Sequence, residues 1–155
     1  MLEAIRGFVA KHINPAKTPA GEDAAAAAHR VKVAACALLL EVAYADGEFS
    51  AVERTHIEQG LSRHFGIDDA TRDELLRLAD TERRRSIDHF QFTRLISEHY
   101  DLGQKMVLAE LMWGVILADG EVAKHEAYLV RKLANLLELE PAYLAQARRR
   151  AAPPS

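Results

Sequence analysis

Residues 33–48 read VAACALLLEVAYADGE. From Val33 to Ala45 the one charged side chain is Glu41, so a helix drawn through this run has no face left for water. A helix that is apolar all round is buried all round. The run stops at Asp46-Gly47-Glu48, where glycine supplies the left-handed turn that ends a helix. The same pattern returns at residues 106–121, MVLAELMWGVILADGE, whose run from Val107 to Ala118 carries only Glu110. At an offset of 73 residues, Leu38 falls on Leu111, Val42 on Val115, Ala45-Asp46-Gly47-Glu48 on Ala118-Asp119-Gly120-Glu121, Glu53 on Glu126 and Ile57 on Val130. Past Gly60 the offset becomes 72, which aligns Leu61 with Leu133, Phe65 with Leu137 and Ile67 with Leu139. The expected fold is therefore a duplicated helical-hairpin bundle with two central buried helices.

Composition agrees that the chain is all-α. Among 155 residues, alanine and leucine supply 46, while Val, Ile and Thr together supply 21. That balance favours helix over strand. Apolar and polar residues nowhere alternate over a strand's length. About seven to eight helices are expected. An N-terminal amphipathic helix covers residues 1–13, with Leu2, Ile5, Phe8 and Val9 at helical spacing, and a proline-containing linker covers 14–22. The main helical domain spans 23–150, and 151–155 forms a disordered tail. Within the domain, Asp23 can cap a helix over about 24–45, and Ser50 with Glu53 forms a capping box for one ending near Phe65-Gly66. A polar helix follows over about 69–83. Ser86 is expected to cap a helix running to about His99, with Ile87, Phe90, Leu95 and Ile96 facing inward. Two more cover about 102–118 and 123–138, and Pro141 suits the first turn of the last.

Charge and residue content exclude several functions. Twenty Lys and Arg stand against 23 Asp and Glu, a net charge of −3, so long-range attraction to nucleic acid is not expected. Cys36, the single cysteine, permits no disulfide framework or thiolate zinc cage, and within its apolar run it reads as an inert core thiol. The longest uncharged apolar runs are eight residues, Val33 to Leu40 and Leu111 to Ala118, against the roughly 20 a membrane span needs. No secretion signal is read at the N-terminus, so cytoplasmic residence is the default expectation. The first helix is expected to pack on its own domain or to join copies into a homo-oligomer rather than to lie on lipid. Arg83 to Arg85 and Arg148 to Arg150 read as cations that offset helix C-terminal dipoles. Glu41, if enclosed, needs a partner, for which an arginine is expected. Familiar hydrolase, phosphate-cradling and dinucleotide motifs do not occur.

The two corners carry the candidate chemistry. Asp46, Glu48 and Glu53 crowd one, and Asp119, Glu121 and Glu126 the other, each beside helix-end carbonyls. Oxygen-rich surroundings of this kind suit a divalent cation of the calcium or magnesium class. Acidic, Gly and Glu at positions five, six and twelve of an EF-hand match Asp46, Gly47 and Glu53, and again Asp119, Gly120 and Glu126. Positions one and three do not match, being Val42 and Tyr44, then Val115 and Leu117, so neither corner is a true EF-hand. Helix capping is the structural alternative. It accounts for the first corner through Ser50 and Glu53, and less well for the second, where Ala123 replaces the serine. A different class of function, a metal-dependent enzyme with a carboxylate-bridged site, would use the Glu-x-x-His pair Glu53 and His56. The second half has Leu129 where its matching histidine would stand.

Ala45-Asp46-Gly47-Glu48-Phe49 with Glu53, followed by Ala118-Asp119-Gly120-Glu121-Val122 with His125, Glu126 and Arg131-Lys132-Leu133-Ala134, resembles the TerB-like tellurite resistance proteins. Arg63-His64-Phe65-Gly66 and Phe92-Thr93-Arg94-Leu95 are similar to the small stand-alone bacterial branch of that family. The resemblance covers about residues 24–148. It implies a duplicated all-helical fold, an acidic metal-binding surface at the corners, and a part in tellurite and chemical-stress response near membrane-associated assemblies. A protein partner, and a cytoplasmic location peripheral to the inner membrane, follow from the same resemblance. It implies no enzymatic reaction. A related domain precedes the J-domain of a DnaJ-like co-chaperone, but this chain has no His-Pro-Asp tripeptide. Ala123 and His125 depart from the repeat and set the second corner apart from the first.

Overall fold

In the computed structural model, residues 2–13, 24–45, 51, 55, 58–59, 61–62, 66–85, 90–117 and 124–151 are described. Seven helices are delimited among them: α1 Leu2–His12, α2 Ala24–Ala45, α3 Asp69–Arg85, α4 Gln91–His99, α5 Leu102–Leu117, α6 Lys124–Leu136 and α7 Pro141–Ala151. Between α2 and α3, Ala51, Thr55, Glu58, Gln59, Leu61 and Ser62 are also helical. The described residues contain no strand, and the protein is all-α as its composition demands. The expected linker, the Asp23 cap, the Ser50–Glu53 box, Phe65, Ser86, Ile87 and residues 152–155 lie outside the described residues. Ala151, expected in the tail, closes α7.

The apolar run of α2 does what an all-round hydrophobic helix must. Every residue from Val33 to Tyr44 is buried, and α2 packs against α1, α3, α4, α5 and α6. Its counterpart α5 packs on α2, α6 and α7, but it is enclosed less fully. Leu108, Ala109, Met112 and Trp113 are buried, whereas Leu102 and Val107 are each 45% exposed. The two central helices therefore differ in degree.

The duplication reaches further than a hairpin. α3 begins at Asp69 and α7 at Pro141, the same 72-residue offset that relates Leu61 to Leu133 and Ile67 to Leu139, four residues that are all buried. Left-handed backbone occurs at Gly66 (φ 63°) and Glu138 (φ 60°), also 72 residues apart. α2 packs on α3 as α5 packs on α7. The repeating unit is thus three helices, and the two units meet through α2 and α5.

Local capping sets several boundaries. Asp68 accepts the Thr71 amide at 2.7 Å and starts α3; that bond, helped by the Thr71 hydroxyl, holds the Asp68 carboxyl below its usual range. Asp101 and Gln104 exchange hydrogen bonds of 2.8 and 2.9 Å, a reciprocal capping box for α5. α4 differs from its sequence reading, since Phe90 is not helical and offers no side-chain cap. A helix continuous from Ser86 is therefore excluded, and α4's first amides are satisfied from another part of the chain.

α1 belongs to the core. Ile5, Phe8, Val9 and Ile13 are buried, Phe8 meets Phe92 edge to face at 6.1 Å, and α1 packs on α2 and α4. The Tyr100 hydroxyl donates to the Ile13 carbonyl at 2.6 Å, closing the end of the helix.

Candidate functional site

The acidic corners are reached by the ends of α2 and α5 and the start of α6. Asp46, Glu48, Glu53, Asp119 and Glu121 lie outside the described residues, as does His56. Glu126 lies within α6, but its side chain is not described. Among the described residues, no group of three His, Cys, Asp or Glu side chains is placed to hold a metal ion. What the structure fixes is the frame: α2, α5 and α6 pack on one another.

Glu41 holds structure together. Its carboxylate, 4% exposed, accepts the Phe92 amide at 3.1 Å and the Thr93 amide and hydroxyl at 3.0 Å each. These amides are the second and third of α4, two of the orphan donors that every helix start leaves. The negative charge also sits at the positive end of the α4 dipole. Sequence reasoning looked for an arginine; the start of another helix supplies three of Glu41's hydrogen bonds. Cys36 is wholly buried, and burial pushes its thiol well above the ordinary range, which removes thiolate reactivity.

A cavity of about 420 Å³ opens between α5, α6 and α7. Its walls include Trp113 on α5, Arg131, Ala134 and Asn135 on α6, and Leu144 and Arg148 on α7. The Arg148 guanidinium carbon lies 4.9 Å from the centre of the Trp113 ring. Such contact between a cation and an aromatic face contributes about 0.5–1 kcal/mol at an exposed site. Trp113 is only 2% exposed, and its indole Nε1 has no acceptor among the described residues. A buried donor left unpaired costs about 1–3 kcal/mol. Neither Arg131 nor Arg148 is paired with a carboxylate among the described residues. A second cleft, of about 470 Å³, lies between α4 and the end of α6, where Arg94, Glu98 and Glu138 mix both signs of charge. Sequence reasoning missed both, because their walls come from separate helices; a lone tryptophan 18 and 35 residues before two arginines is no recognisable spacing.

Two similar units that meet through their apolar first helices, α2 and α5, define an internally duplicated helical domain. The family model described as tellurite resistance protein TerB matches residues 32–149, well over half of the chain. The chain belongs to the TerB family. No curated protein matches it, and no solved structure matches it. The matched span leaves out α1, although α1 contributes to the core. No helix among the described residues is long and apolar enough to cross a membrane.

Proposed function

We propose that this protein is a non-enzymatic, cytoplasmic domain of tellurite and chemical-stress response whose two corners bind a divalent cation weakly. Asp46, Glu48 and Glu53 supply one set of oxygens, and Asp119, Glu121 and Glu126 the other. Occupied or empty, the corners present a charge that a protein partner at a membrane-associated assembly reads. One observation carries the reading: the family match spans both copies of Asp-Gly-Glu, each five residues ahead of a further glutamate. Hard cations favour carboxylate and carbonyl oxygen, and the number of carboxylates tunes affinity.

Calorimetric titration with calcium, magnesium and manganese tests it, repeated on Asp46→Asn and Asp119→Asn. Saturable heat in the parent, reduced by each substitution, supports the cation reading. Its absence leaves charge-based docking to a protein partner as the function of the corners. Iron that is redox-active and is lost on His56→Ala would replace this reading with the metal-enzyme alternative.

A further inference from the structure

We infer that the cavity between α5, α6 and α7 binds a small carboxylate with an apolar body. The inference is independent of the acidic corners and uses none of their residues. Ala134, Leu139 and Leu144 give the cavity an apolar lining, while Arg131, Arg148 and Asn135 supply its polar groups. Ligand sites of a few hundred cubic ångströms combine these features: mostly apolar walls and a few polar groups that fix orientation. The polar set here consists of two cations and an amide. That set calls for an anion, and the planar guanidinium fork matches a carboxylate with two parallel hydrogen bonds.

The duplication offers an internal comparison. The positions equivalent to Ala134 and Leu144 are Ser62 and Arg72, and there the guanidinium donates to the Ser62 hydroxyl at 3.0 Å. Arg72 also pairs with Asp69 and Asp73 at 3.3 and 3.4 Å, whose counterparts are Pro141 and Ala145. The first unit thus spans this place with a side chain that brings its own counter-charges. The second unit has small and apolar residues in the same places and adds Arg131 and Arg148 where the first has Glu58 and Leu76. One copy supplies the carboxylates from its own chain, and the other receives one from outside.

Trp113 is the only tryptophan, so its emission reports on this wall alone. Titration of the full chain with sodium octanoate should change that emission saturably, while 1-octanol binds about tenfold more weakly, as expected when the charged hydrogen bonds are missing. Octylammonium should not bind. Arg131→Gln and Arg148→Gln should each weaken octanoate by about tenfold, and Ala145→Phe, at an exposed rim position, should block it with every charge retained. Thermal midpoints establish that each variant is folded; should Arg148→Gln unfold for want of its contact with Trp113, Arg131→Gln and Ala145→Phe decide. Equal affinity for octanol, the absence of saturation, or indifference to both of these substitutions would overturn the inference. So would amide shift changes in nuclear magnetic resonance that fall outside α5, α6 and α7.

Discussion

A single buried carboxylate shows how one side chain can fix the start of a distant helix. Glu41 lies 51 and 52 residues before the amides it accepts, and Phe90 stands at the α4 N-cap position, where Ser, Thr, Asp or Asn is usual. Replacing Glu41 with Ala removes three hydrogen bonds, strands two helix-start amides and opens a void. A loss of about 2–4 kcal/mol is expected, read as a lower urea midpoint at unchanged slope. Glu41→Gln should fall between the parent and Glu41→Ala, because its amide keeps one acceptor oxygen but also turns a donor toward donors. Sequence alone made it plain that an enclosed Glu41 needs partners. It could not name them, because α4's true start was hidden behind Ser86, a residue of good capping chemistry that drew the expected boundary four residues too early. The six corner carboxylates were legible as a pattern, and the described residues do not include their geometry.

Element boundaries followed the sequence wherever the deciding interactions are local. α2 ends where Asp46-Gly47 begins, α7 opens on Pro141, and the period of the apolar residues placed each helix between. Local chemistry also explains the one non-glycine residue in left-handed backbone among the described residues. α6 closes with Leu139 donating to Ala134 at 2.8 Å and Glu138 donating to Asn135 at 3.0 Å, the paired bonds of a Schellman motif, with Glu138 at φ 60°. Buried Leu139 and Ala134 add the apolar contact that accompanies such an ending. The first unit meets the same demand with Gly66, which has no Cβ to clash. Glu138→Gly should therefore stabilise the protein by about 0.5–1 kcal/mol, the left-handed strain relieved less the extra freedom of an unfolded glycine. A thermal melt would check it, and a lowered midpoint would show that the Glu138 side chain does more than tolerate its backbone. The cavity beside α7 was not legible at all, since no local rule relates Trp113 to Arg131 and Arg148.

For the molecule as a whole, the family span and the cooperative core are different lengths of chain. The match begins at residue 32, yet α1 is fastened to the bundle by four buried side chains, the Phe8–Phe92 contact and the Tyr100 hydroxyl. His12 at its end faces Glu74 of α3 across 3.8 Å, too long for a hydrogen bond, and stacks near Phe8 at 4.6 Å. Burial lowers its pKa below the ordinary 6.5; Glu74 and Asp68 pull upward, Lys11 and His29 downward. A histidine that the folded state holds neutral adds stability that is complete above about pH 6.5 and is lost as pH falls from there through the lowered folded value. The urea midpoint should drop over that interval in the parent and drop less in His12→Gln; equal slopes would remove His12 from the account.

The distance along the chain between Phe8 and Phe92 carries a further consequence for synthesis in the cell. α1 is translated ahead of both helices that cover it, α2 and α4, and Phe92 follows Phe8 by 84 residues. At about 5–20 residues per second, that is a delay of roughly 4–17 s. Throughout that interval the greasy stripe of Ile5, Phe8 and Val9 has only α2 to close on, and its cover is completed when α4 follows.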